Sequence, residues 1–173
     1  MSYNLKILLS PTKTMNTISS SKIENNSNTY PNFLEQTELL IKELRKFSVN
    51  EIASEMNVST KIAEQNHFRF KNWNHPDKSK KSWSIASCLY SGEAYKALDF
   101  NSLNKKERLN AQNCLFILSG LYGIIRAEDS IYPYRLEMGH SLKTSKNKIS
   151  LYKFWENEIH HYLIKHLNQK DII

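Results

Sequence analysis

Two stretches of this chain combine residue types that can do chemistry. Ser10-Pro11-Thr12-Lys13-Thr14 follows the apolar run Lys6-Ile7-Leu8-Leu9, which proline halts, so it reads as the turn leaving a buried strand. Ligands of α/β sheets gather at the carboxyl ends of strands, and here hydroxyls, backbone amides and one ammonium can hold an anion. The segment lacks the glycine spacing of a phosphate-cradling loop, which leaves a structural turn with a solvated Lys13 as the other reading. The second stretch runs from Leu118 to Gly139. Gly120 and Gly123 permit backbone angles and close approaches that other residues resist. Extended backbone would put Arg135 and Glu137 on one face and Leu136 and Met138 on the other, with a partly buried ion pair expected beside Arg126 and Asp129. An internal salt-bridge network that locks the turn is the structural alternative to a functional site.

Other sets of reactive residues carry less. Cys88 and Cys114 lie in apolar runs without a zinc-ligand spacing, so both are expected as free, partly buried thiols. His160, His161 and His166 lack the i, i+4 spacing of a helical metal site, and we assign no metal ligand and no cofactor. No Gly-x-Ser-x-Gly or other catalytic motif occurs, so the sequence speaks more for a binding protein than for an enzyme.

The elements that must position these residues follow from periodicity and caps. A helix is expected from Pro31, with Phe33, Leu40, Leu44 and Phe47 on one face. Ser48 with Glu51 and Asn104 with Glu107 form capping boxes, and Ser59 caps a third helix with the stripe Ile62, Asn66, Phe70 and Trp73. Trp83 to Leu89 and Leu115 to Leu118 read as internal strands, and a short helix follows Gly92. The final helix, behind a Ser150 cap, repeats Leu151, Phe154, Trp155, Ile159, Tyr162 and Leu163. Asp171-Ile172-Ile173 is the onset of a further strand. Strands alternating with helices predict an α/β fold, with mixed α+β as its variant: one domain over residues 1–173 whose partly parallel sheet is flanked by helices.

Length and composition fit this. The chain has 173 residues, 40% hydrophobic and 24% charged, enough for one packed core. No apolar run approaches the roughly 20 residues of a membrane span, and the start lacks a signal-peptide pattern, so a cytoplasmic protein without a membrane partner is expected. The net charge of +7 invites nucleic acid. Yet 19 of the 24 basic residues are Lys, and the densest runs, Lys78 to Lys81 and Lys143 to Lys148, sit in polar, loop-like sequence where a solvated face is usual.

At its motifs the chain resembles the YaaA family of bacterial peroxide-stress proteins. The matching residues are Ser10 to Thr14, Asn66-x-x-Arg69-Phe70, Leu118 to Gly123, Pro133 to Gly139, and Leu151-Tyr152-Lys153-Phe154-Trp155. It departs at Gly92-Glu93-Ala94-Tyr95, where the family shows Gly-Asp-Val-Tyr, and at Arg126-Ala127-Glu128-Asp129, where it shows Arg-Pro-Leu-Asp. Family members run on beyond the point matching Ile173, so the resemblance implies a member lacking the C-terminal part of the fold. It further implies a peroxide-stress protein that limits iron-dependent oxidative damage and binds DNA without sequence preference in a basic cleft. A helix-hairpin-helix element belongs to that picture, with Gly120 and Gly123 as candidates for its hairpin and the Leu115 to Leu118 strand as the competing reading. The candidate ligand- or DNA-binding set is Ser10, Lys13, Gly120, Tyr122, Gly123, Arg126, Tyr134, Arg135 and Glu137. Two alternatives stand beside it: an enzyme closing on a small anionic ligand at Ser10, Lys13, Arg126 and Arg135, or a truncated, non-functional product.

Overall fold

The computed structural model describes residues 4–16, 29–77, 83–143, 148–167 and 171–172. The first strand is in two pieces, β1 (Asn4–Leu5) and β2 (Ile7–Leu9). Helices α1 (Leu34–Leu44), α2 (Val49–Glu55) and α3 (Thr60–Asn72) follow, then β3 (Ser84–Ile85) and the short helices α4 (Ala86–Leu89) and α5 (Glu93–Leu98). Beyond a single 3-10 turn come α6 (Lys105–Cys114), β4 (Leu115–Ser119), β5 (Gly123–Arg126) and β6 (Ser130–Ile131). The pair β7 (Ser141–Lys143) and β8 (Lys148–Ser150) leads into α7 (Leu151–His166), and β9 (Asp171–Ile172) closes the order.

The central sheet is β2-β4-β5. β2 runs parallel to β4 with Leu9 opposite Ile117, and β4 runs antiparallel to β5 with Phe116 opposite Arg126 and Ser119 opposite Gly123. β1 pairs in parallel with β9, so the apolar onset at Asp171 is indeed a strand. The result is the expected partly parallel, mixed sheet flanked by helices. Because side chains alternate along a strand, each sheet face has its own cover. Leu9, Ile117 and Ile125 enter the main core with α1, α2 and α3, whereas Leu8, Phe116, Leu118 and Ile124 meet Tyr162, Ile159 and Leu163 of α7.

Local chemistry sets the helix starts. The Ser48 Oγ accepts the Glu51 N–H at 3.3 Å while the Glu51 carboxylate accepts the Ser48 N–H at 2.8 Å. Asn104 Oδ1 accepts the amides of Lys106 and Glu107 at 2.9 and 3.1 Å, and Glu107 reciprocates at 2.8 Å. Ser150 departs from this pattern: its side chain makes no capping bond, and the Leu151 N–H donates instead to the His140 carbonyl at 3.1 Å. Urea unfolding should therefore show a loss of about 1 kcal/mol for Asn104→Ala. Ser150→Ala should stay within about 0.5 kcal/mol of the parent.

Trp83 to Leu89 is not one strand. Only Ser84 and Ile85 pair with β6, and the chain then turns into α4. The Ala86 and Ser87 amides donate to the carbonyls of Asp129 and Ala127. All seven residues are buried, so the apolar run reflects enclosure on every side and not an extended backbone. The expected helix at Pro31 begins at Leu34. Lys143 and Lys148 lie in the antiparallel pair β7–β8 and not in loop. Residues 144–147, the run Lys78 to Lys81 and the polar stretch 17–28 fall outside the described residues.

Candidate functional site

The turn after β2 is strapped down over residues 88 to 95. The Tyr95 hydroxyl donates to the Ser10 carbonyl at 2.9 Å, the Ser91 N–H to the Thr14 carbonyl at 3.3 Å, and the Asn16 N–H to the Leu89 carbonyl at 2.7 Å. Met15 forms an antiparallel bridge with Tyr90. With its backbone fixed this way, the turn holds Lys13 outward, its side chain 64% exposed.

The 134–139 segment meets this turn from the other side. Arg135 donates to the Lys13 carbonyl at 3.4 Å and to Glu137 Oε1 at 3.5 Å, and Lys13 Nζ lies 3.3 Å from Glu137 Oε2. One carboxylate thus serves two cations, which leaves one positive charge in surplus. Ser10 to Lys13, Tyr134 to Gly139 and Tyr152 enclose an open cavity of 230 Å³. Asn66 of α3 fixes the Arg135 backbone by donating to its carbonyl at 2.8 Å, and the same amide group lies 3.5 Å from the Met56 sulfur at the end of α2.

Arg126 is elsewhere. Strand register puts it at the far end of β5 from Gly123, and α7 shows the separation: Trp155 packs at Gly123, whereas Tyr162 packs on Phe116, the partner of Arg126. Seven helical residues amount to about 10 Å. There Arg126 pairs with the buried Asp129 at 3.2 Å, and its own N–H donates to that carboxylate at 2.9 Å. Burial pushes the Asp129 carboxyl up, against the opposing effect of these bonds from Arg126. The expectation that Arg126 and Asp129 lie beside Arg135 is corrected: there are two ion-pair sites at opposite ends of the strands.

The glycines and tyrosines of the set support the cavity from beneath. The Gly120–Gly123 turn joins two strands, is wholly buried, and is no hairpin between helices. A Cβ on Gly120 would lie 2.4 Å from the Leu136 carbonyl oxygen, so glycine lets the 134–139 segment lie directly on the turn. Gly123 has φ of +73° with Trp155 against it. Tyr122 is fully buried; its hydroxyl donates to the Tyr132 carbonyl and accepts from Trp73 Nε1 and the Tyr132 N–H. Tyr134 lines the cavity, yet its hydroxyl lies in the core, 2.6 Å from Ser119 Oγ and 2.8 Å from the Tyr90 hydroxyl. Burial raises the phenols of Tyr90, Tyr95, Tyr122 and Tyr134, so all four are neutral groups near pH 7.

Residues outside the expected set also shape the site. Tyr152, at the start of α7, borders the cavity. Asn66 signalled itself as a polar member of an otherwise apolar helical stripe and as the first residue of the Asn66-x-x-Arg69-Phe70 match. The tight helix pair is α2–α3, joined by Met56 to Ser59 with Asn57 at φ of +48°. Through Met56 and Asn66 this helical turn is tied to the Arg135 segment. Among the described residues no group of His, Cys, Asp and Glu is arranged to hold a metal, and no helix is long and apolar enough to cross a membrane. Cys88 and Cys114 are free thiols, and burial pushes the Cys88 thiol up to about 11.

A family model described as peroxide stress protein YaaA matches residues 5–173. The chain belongs to the YaaA family. Among curated relatives, a UPF0246 protein of Crocosphaera subtropica is 42% identical over 141 residues, covering 82% of this chain and 54% of that protein. A UPF0246 protein of Janthinobacterium sp. is 40% identical over 153 residues, covering 88% and 58%. One of Alcanivorax borkumensis is 39% identical over 159 residues, covering 92% and 60%. The chain therefore spans between half and three fifths of the length of these YaaA-family relatives.

Proposed function

We propose that this YaaA-family chain serves peroxide-stress resistance by binding the DNA backbone, limiting the damage that hydroxyl radicals from iron and peroxide inflict there. The observation that carries the reading is the shared carboxylate. Lys13 and Arg135 come from distant parts of the sequence to one open cavity and, among the described residues, have only Glu137 between them, so the cavity retains a positive charge for a phosphate oxygen. The α2–α3 turn is tied to the Arg135 segment through Met56 and Asn66, in keeping with the helix-hairpin-helix of the family resemblance. A binding module of this kind needs no catalytic group.

Fluorescence polarisation with a mixed-sequence duplex over a salt series tests this. Affinity should fall linearly in log–log form, with a slope near −0.9 per neutralised phosphate. Lys13→Ala should weaken binding to all sequences alike and flatten the slope by about 1, whereas Arg126→Ala should leave the slope unchanged. Absence of binding at low salt, or a Lys13→Ala slope equal to the parent's, would sink the proposal. The partial enclosure of the cavity favours one second reading, a small anionic ligand at Ser10, Lys13 and Arg135. In that case inorganic phosphate at constant ionic strength raises the melting temperature, and Lys13→Ala abolishes the rise.

A further inference from the structure

Tyr152 stands between two hollows. It lines the cavity of Ser10, Lys13 and Arg135 on one side, and on the other a groove of 680 Å³ walled by Leu118, Met138, Trp155, Ile159 and Leu163. The residue is 65% exposed and its side chain has no hydrogen-bond or ring partner among the described residues, although its neighbours Leu151 and Trp155 on α7 are fully buried. We infer that the two hollows together seat one unstacked nucleotide, its phosphate between Lys13 and Arg135 and its base on Tyr152 over the groove, so that the site prefers single-stranded nucleic acid. This rests on the phosphate-binding reading above.

Charge and continuity together argue for this occupant. The cationic cavity is too polar for an alkyl chain to fill, and the groove, with Lys153, Glu156 and His160 also at it, has mostly apolar walls that suit a flat ring. A ligand spanning both needs an anionic end and a flat, largely apolar body joined by a short linker, which describes a nucleotide. Every base has a π face, and stacking on an exposed tyrosine is worth a large factor in affinity and tolerates any sequence. Met138, which borders both hollows, brings a polarisable thioether side chain to them. A paired duplex keeps its bases inside and offers this surface only its sugar-phosphate edge, whereas a single strand turns a base outward at little cost.

Polarisation titrations of the chain with three labelled probes at one salt concentration test this: a short oligothymidine, an abasic strand of equal length and phosphate number, and a duplex of equal length. The oligothymidine should bind about 5- to 150-fold more tightly than the abasic strand, the range expected for one stacked base. Tyr152→Ala should erase that ratio and Tyr152→Phe should keep it, with melting curves of both variants matching the parent's. Equal binding of the oligothymidine and the abasic strand, or a ratio unchanged by Tyr152→Ala, overturns the stacking inference. If the duplex then still binds with a Lys13-dependent salt slope, the phosphate reading stands without it; if no probe binds, both fall.

Discussion

Trp155→Ala should cost about 3–5 kcal/mol of unfolding free energy. Trp155 is completely buried, packs against Phe33 at 6.0 Å and Phe154 at 4.8 Å, and closes over the positive-φ backbone of Gly123. Its indole N–H donates to the Gly120 carbonyl at 2.9 Å, so truncation leaves a cavity and a buried acceptor without its donor. Trp155→Phe keeps most of the volume and should lose only about 1–3 kcal/mol, the cost of the unpaired carbonyl. Urea unfolding followed by far-ultraviolet circular dichroism measures both. Since domains of this size retain about 5–15 kcal/mol, the alanine variant should sit near its unfolding midpoint in mild denaturant. A loss under about 1 kcal/mol would show that α7 does not hold the β4–β5 turn.

Alkali should unfold the protein abruptly. The Ser119 hydroxyl oxygen accepts the amides of Leu121 and Tyr122, so its proton goes to Tyr134, which is bonded in turn to Tyr90. Desolvation pushes the Tyr134 phenol up to about 12 and raises Tyr90 and Tyr122 further above the ordinary 10. The folded state therefore holds protons that the unfolded chain releases at pH 10. Stability from these groups is intact below pH 10 and is withdrawn as pH rises from there toward the folded-state values. At about 1.4 kcal/mol per pH unit, Tyr134 alone withdraws about 3 kcal/mol between pH 10 and 12. Tyrosinate absorbance near 295 nm should rise in one steep step coincident with loss of circular dichroism. A gradual rise centred on pH 10 with the fold intact would contradict this account.

What the sequence revealed follows from how far each interaction reaches. The boxes at Ser48/Glu51 and Asn104/Glu107 close within three residues, so reading them needs no tertiary knowledge. Trp83 to Leu89 misleads because a short apolar run reports burial without reporting backbone angles, and here the amides find the 127–129 loop in place of a neighbouring strand. Lys13 and Arg135 do meet, as expected of a strand-end turn facing an extended arginine segment. Arg126 does not join them. Its distance from Arg135 in sequence is small, but the β4–β5 register, which sequence spacing does not encode, carries it to the opposite end of the sheet. Tyr152 enters the sequence reading only as part of the Leu151 to Trp155 match, off the apolar stripe of α7, and only the packing of that helix shows it bordering the cavity. Asn66 reaches Arg135 across 69 residues, beyond any local pattern.

If the cleft takes anions as proposed, Glu137 would make it an ion exchanger. An arriving anion finds the seat taken by an internal tenant and gains only the difference between its own attraction for Lys13 and Arg135 and that of the displaced carboxylate. Chloride, with a single diffuse charge, gains almost nothing by the swap. A phosphate carried on a longer strand would add contacts beyond the seat, so what the charge is attached to, more than its local strength, would decide what stays bound.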